Sequence, residues 1–155
     1  MTLTPDNALR DFVKTPVILD AILVGVDQRR AEQATDGPDG WSVLEVVCHM
    51  NEFEEIFFNR ARLMMETERP NFPPNDQNAL ALDHNYQEQQ LAEQLASYHR
   101  RRDAFVEFVK ALPAGAWQRT GIHPSYGEMN LIELVVKTTL HDVNHIEQIL
   151  KALND

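Results

Sequence analysis

Two capping boxes, each opening a long run of helically spaced apolar residues, constrain this chain more than any other feature. Ser42-Val43-Leu44-Glu45 is the first. A serine at the N-cap accepts from the amide three residues on, and the glutamate there returns its carboxylate to the serine amide. Trp41 before the cap and Val46 at the fourth helical position form the matching hydrophobic staple. Asn130-Leu131-Ile132-Glu133 repeats the device, with Met129 and Leu134 as its staple pair. Helices are therefore predicted from Ser42 to about Arg69, where Pro70 stops the run, and from Asn130 to about Leu153.

Two further long helices are expected. Thr15-Pro16 places an N-cap residue type before a proline suited to the first helical turn, and opens a helix over 16–34. The Thr35 to Gly40 cluster ends it in a turn. Leu91, Leu95, Tyr98, Phe105, Val109 and Leu112 recur at three-to-four spacing and predict a helix over 83–112. Thr4-Pro5 opens a short additional helix carrying Leu9, Phe12 and Val13. Residues 70–82, with three prolines, read as a long connection, and 117–127 as an ordered loop rather than a strand. No segment sustains the alternation of a half-buried strand. The expected architecture is all-α: a four-helix bundle with a short extra N-terminal helix, as a single domain over 1–155.

Charge narrows the partners. Fourteen basic residues against 24 acidic ones give a net charge of −10. Nucleic acid and anionic membrane surfaces both reward Lys and Arg, so neither is an expected partner. The most apolar run, Val17 to Val26, is interrupted by Asp20 and is half the length of a bilayer span. One cysteine, Cys48, excludes an internal disulfide, and the amino-terminal residues lack a signal-peptide pattern. A cytoplasmic location is the expectation.

Chemistry points to histidine. Of six histidines, His141 and His145 are four apart and share one face of the last helix. Leu134, Thr138, Ile149 and Ala152 share that stripe, so both rings are expected to point into the bundle. His49 lies on the helix begun at Ser42, beside Val46, Phe53 and Ile56. If those two helices face each other, three neutral imidazoles converge, a donor set that holds a catalytic divalent ion and leaves a coordination position free. Imidazole discriminates poorly among zinc, nickel, iron and copper. The competing reading is that these histidines are simply buried and hydrogen-bonded, and one pair at this spacing is weak evidence alone.

Two related metal sites are excluded by spacing. His141-Asp142-Val143-Asn144-His145 has the outline of a zinc-protease motif, but aspartate replaces glutamate and no histidine follows His145. A di-iron bundle needs two Glu-x-x-His pairs, whereas Asp142 and His145 supply one approximation. Glu52, three after His49, is either a group that orients a ligand or a solvated carboxylate. Cys48 should point away from His49 as a small core residue. Arg119, His123 and Tyr126 are candidates for the rim of a pocket, while His84 and His99 are expected at exposed or partly buried positions.

Trp41 to Glu45 leading to His49 and Glu52, then Gly127 before a capped helix ending His141-Asp142-x-x-His145-x-x-Gln148-Ile149, resembles the DinB-like superfamily of DinB/YfiT-type bundles. The similarity runs over essentially the whole chain. It implies metal ligation by His49, His141 and His145, a divalent metal ion as cofactor, a small-molecule substrate and a homodimer. The better-understood members of that family are thiol-dependent, which implies a transferase using a metal-activated low-molecular-weight thiol. The alternative is a non-catalytic, metal-stabilised or purely structural bundle acting as a homo-oligomeric stress-response or partner-binding module.

Overall fold

A computed structural model describes residues 2–155. Over these residues the elements run α1 (Pro5–Phe12), α2 (Thr15–Ile22), α3 (Gln28–Gln33), α4 (Val43–Glu66), α5 (Gln77–Asp83), α6 (Leu91–Lys110), β1 (Thr120–His123), β2 (Gly127–Asn130) and α7 (Leu131–Asn154). Three long helices form most of a four-helix bundle, with α6 and α7 both packed on α4. The broken run of α1 and α2 lies along α7 as the fourth member. Among the described residues, no helix is long and apolar enough to cross a membrane.

Both capping boxes are present. The Glu45 amide donates to Ser42 Oγ at 3.2 Å and the Ser42 amide to Glu45 Oε2 at 2.8 Å. At α7 the Glu133 amide donates to Asn130 Oδ1 at 2.9 Å and the Asn130 amide to Glu133 Oε2 at 2.7 Å. These ends fix where the two site-bearing helices begin. Their apolar stripes are buried in two clusters, one around Phe12, Phe58, Phe105 and Leu134, the other around Leu19, Leu44, Tyr98 and Ile149.

The structure corrects five sequence expectations. The helix expected over 16–34 is two helices: Gly25 adopts φ +80, a left-handed conformation that ends α2, and Asp27 caps α3 by accepting from the Arg30 amide. Thr15 is not a cap but the first residue of α2, and its hydroxyl is turned inward. The connection at 70–82 contains the start of α5, capped by Asp76, and the long helix expected from 83 starts only at Leu91, after a left-handed Asn85 and a 3₁₀ turn over Tyr86–Glu88. The expected loop over 117–127 holds the strand β1, which pairs antiparallel with β2 in the register His123 to Gly127. Its strands are four residues long, too short to show alternation. Phe72 donates to the Ile122 carbonyl at 2.8 Å, clasping the connection against the hairpin. A Cβ on Gly121 would come within 2.3 Å of the Phe72 ring, so this close approach requires glycine.

A polar knot joins the bundle between its two apolar clusters. Arg102 on α6 is 2% exposed and uses all five of its N–H donors. Two go to the Glu54 carboxylate at 2.7 Å, one to Asp142 Oδ2 at 2.7 Å, one to the Phe12 carbonyl at 2.8 Å and one to Thr15 Oγ1 at 3.1 Å. Thr15 in turn donates to Asp142 Oδ2 at 2.5 Å. Burial pushes the Glu54 carboxyl pKa up, an effect that Arg102 opposes. Removing one partner of a buried ion pair leaves an uncompensated charge, which typically costs about 3–5 kcal/mol. Arg102→Met should therefore lower the free energy of urea unfolding by about that much; an unchanged midpoint would contradict the assigned role.

Candidate metal centre

The helical frame brings the three predicted histidines together. His49 projects from α4 and is 1% exposed, and His141 and His145 project half-buried from α7. Their ring centroids form a triangle with sides of 4.9, 4.5 and 4.4 Å. One ligand nitrogen from each ring lies within 4.8 Å of the others. His49 Nε2 and His141 Nε2 stand 2.9 Å apart. Two imidazole nitrogens on one tetrahedral ion stand about 3.3 Å apart, so the observed spacing is close to a ligating one.

The surroundings keep the rings neutral and aimed. Burial lowers the His49 pKa from 6.5 to about 3, with a smaller contribution from His145. His141 is held well below the ordinary histidine value, first by burial and then by His145 and His49. Burial lowers His145 as well. Neutral imidazole is the form that binds metal. His145 Nδ1 lies 2.8 Å from Gln148 Oε1, so the ring donates there and turns its Nε2 lone pair to the cluster. Phe53 stacks on His141 at 5.3 Å, and Phe57 meets the same ring edge-on at 5.1 Å. Buried His49 Nδ1 has no hydrogen-bond partner among the described residues. A set of three neutral nitrogen donors with a single mutual hydrogen bond fits a divalent ion.

A cavity of about 460 Å³ opens onto His141. It is lined by Phe53 and Phe57 from α4, by His123 and Tyr126 from the hairpin, and by Lys137 and His141 from α7. His123 and Tyr126 thus border the pocket as the sequence suggested. Arg119 does not: its Nε donates to the Met64 carbonyl at 2.5 Å and braces the end of α4.

Other candidates lie elsewhere. Glu52 accepts from the Tyr86 hydroxyl and pairs with His84, facing a separate groove shared with Cys48. Cys48 is buried, and burial pushes its thiol up to about 12. Asp142, which takes the place of the protease glutamate, is turned away from the histidines into the Arg102 knot. His99 pairs with exposed Asp20 at 2.7 Å. Sequence reasoning missed Arg60, a buried arginine on the cavity wall. Its spacing carried the signal, because positions 49, 53, 57 and 60 follow one helical face.

The family model described as the DinB superfamily matches residues 12–149. The chain belongs to the DinB superfamily. Among solved structures it is similar to YfiT from Bacillus subtilis, described as "a probable metal-dependent hydrolase with an unusual four-helix bundle topology". The two superpose with a TM-score of 0.85 at 20% identity, covering 95% of this chain and 84% of that one. This likeness establishes the four-helix-bundle fold. No curated protein matches the chain.

The depressed histidine pKa values make a signed prediction. An unfolded chain protonates these rings below pH 6.5, whereas folded His49 stays neutral down to about pH 3. The unfolded state therefore binds more protons in that window, and stability falls as pH falls. For metal-free protein, His49 alone should lower the unfolding free energy by about 2 kcal/mol between pH 7.5 and pH 5. Urea titrations at the two pH values check this, and equal stabilities would contradict the burial of neutral rings.

Proposed function

We propose that this DinB-superfamily protein is a metal-dependent enzyme in which His49, His141 and His145 hold one divalent ion, with zinc or nickel as the first choices. The observation that carries the proposal is the convergence of three neutral imidazoles at the edge of an open cavity. A structural site is closed by four protein ligands, whereas three leave room for an exchangeable one.

The reaction proposed is transfer of a low-molecular-weight thiol to a small electrophile. A divalent ion with three neutral ligands is the Lewis acid that ionises a thiol, or brings a water's pKa to roughly 7. The chain supplies the rest of the site by positioning. Gln148 orients His145, and Phe53 and Phe57 flank His141 with apolar surface. No carboxylate lines the cavity among the described residues, and the nearest sequence candidates, Asp142 and Glu52, are held by other partners. His123 accepts two backbone N–H groups at Nδ1, so its Nε2 carries a proton and does not serve as a base in that form. A site without a base suits a nucleophile that ionises readily, and this favours thiol over water. Hydrolysis is the second reading, supported by the description of YfiT.

Elemental analysis tests the foundation. Wild-type protein should retain about one divalent ion per chain, and His141→Ala should lose at least about tenfold in affinity while keeping its helical circular dichroism. Unchanged metal in His141→Ala would overturn the ligand assignment, and unfolding would favour a structural ion. Thiol conjugation to a model electrophile, assayed with and without chelator beside ester and amide hydrolysis, separates the two reactions.

A further inference from the structure

The bundle contains two buried arginines in opposite circumstances. Arg102 has every donor satisfied, as described above. Arg60 on α4 is 5% exposed, yet it makes no ion pair and no hydrogen bond among the described residues, and its Nε is buried without a partner. Two aromatic rings flank its guanidinium carbon, Phe57 and Phe72, with centres at 5.7 and 5.5 Å. Burial lowers its pKa, but a guanidinium remains charged at any physiological pH. A charge held mostly out of water without a counter-charge is unfavourable, and an anionic ligand would supply the missing partner.

Its surroundings repeat the same sign. Arg60 lines the cavity that reaches His141. Lys137, which also lines it, sits 3.6 Å from the centre of the Tyr126 ring and forms no ion pair among the described residues. His123 accepts from the Ser125 and Tyr126 amides through Nδ1 at 3.0 and 3.2 Å, which leaves Nε2–H as a donor. No Asp or Glu is among the lining residues, in a chain with 24 acidic residues and 14 basic ones. The other grooves differ: one carries Glu52 and Glu55, another Asp39, Glu45 and Glu88. Arg60 also touches a shallow groove on its far side that includes Glu66, with which it makes no ion pair.

We infer that this cavity binds the oxyanion of a small molecule, a carboxylate or a phosphate-type group, with Arg60 as its anchor and Lys137 and His123 as further donors. That the ligand is a substrate rests on the proposed function; the anion subsite rests on Arg60 and its cavity. The helix sets the length of the molecule. Arg60 is eleven residues after His49, about 16 Å along the helix axis, and its long side chain leans back toward the histidines. Phe53 and Phe57 line the interval. The fitting ligand has an anionic end at Arg60, an apolar middle beside the phenyl rings, and a reactive end at the histidines.

Three probes of one shape test the inference: 4-phenylbutyrate, 3-phenylpropylphosphonate and neutral 4-phenylbutanamide, titrated calorimetrically into zinc-loaded and chelator-treated protein. At least one anion should bind about 10- to 100-fold tighter than the amide in both forms, so that the preference does not arise from coordination to zinc. Arg60→Met should erase the preference, Arg60→Lys should restore part of it, and zinc stoichiometry should be unchanged in both. Equal binding of all three probes, or a preference that survives Arg60→Met, overturns the inference. Should Arg60→Met not fold, the wild-type Arg60 Nε–H resonance decides: it must shift with an anion and not with the amide, and no shift is equally fatal. Wild-type protein that binds zinc but shows no anion preference ends this inference alone. Loss of zinc binding with the preference intact in chelated protein ends the metal reading alone.

Discussion

The arrangement of this bundle depends on one buried guanidinium. Arg102 binds Glu54 of α4, Asp142 of α7, the Phe12 carbonyl at the end of α1 and Thr15 of α2. Apolar contacts alone define the rotation of packed helices loosely, whereas a bidentate carboxylate bond has one good geometry. The consequence reaches the histidines through the helical period. Asp142 adjoins His141, so a helix turned to place Asp142 on Arg102 presents His141 about 100° away. Glu54 and His49 are five residues apart on α4, which separates their directions by about 140°. Fixing both carboxylates on one arginine therefore fixes the rotation of both site helices, and His49 meets His141 and His145 as a result.

This explains what the sequence could and could not disclose. Capping boxes are local, and both long helices begin where Ser42 and Asn130 predict. The spacing of His141 and His145 is local too, and the apolar stripe around them sets their inward direction. Convergence with His49 depends on two helices facing each other, which the local pattern posed only as a condition. The knot was illegible because its members lie on five elements and look ordinary alone: Thr15 resembles a cap, Arg102 one of three successive arginines, and Glu54 one of several helix carboxylates. The break after α2 was different. Gly25 and Asp27 are a left-handed stop and a cap, written locally but outweighed by the apolar run from Val17 to Val26. In the hairpin, paired segments of four residues are too short to carry a period.

The acidic character of the chain gives the cavity's basic wall its meaning. A net charge of −10 repels an anion at long range, but ionic screening confines that repulsion to about 8 Å at physiological salt. Inside the cavity, the groups in contact decide what binds. Arg60 and Lys137 then act locally against the charge of the whole, selecting an anion by contact rather than drawing it from solution.

The chain's own nucleophiles and bases point the same way. Cys48, its sole thiol, is buried beside Tyr86 and held protonated, and it faces a different groove from His141. Asp142 is occupied by Arg102 and Thr15, and Glu52 by Tyr86 and His84. The walls of the cavity offer donors, cations and aromatic faces, groups that bind and orient but do not attack. Chemistry at such a place requires a nucleophile brought in from solution and ionised where it lands. Among the described residues, the three neutral imidazoles are the group suited to hold a cation that would ionise it.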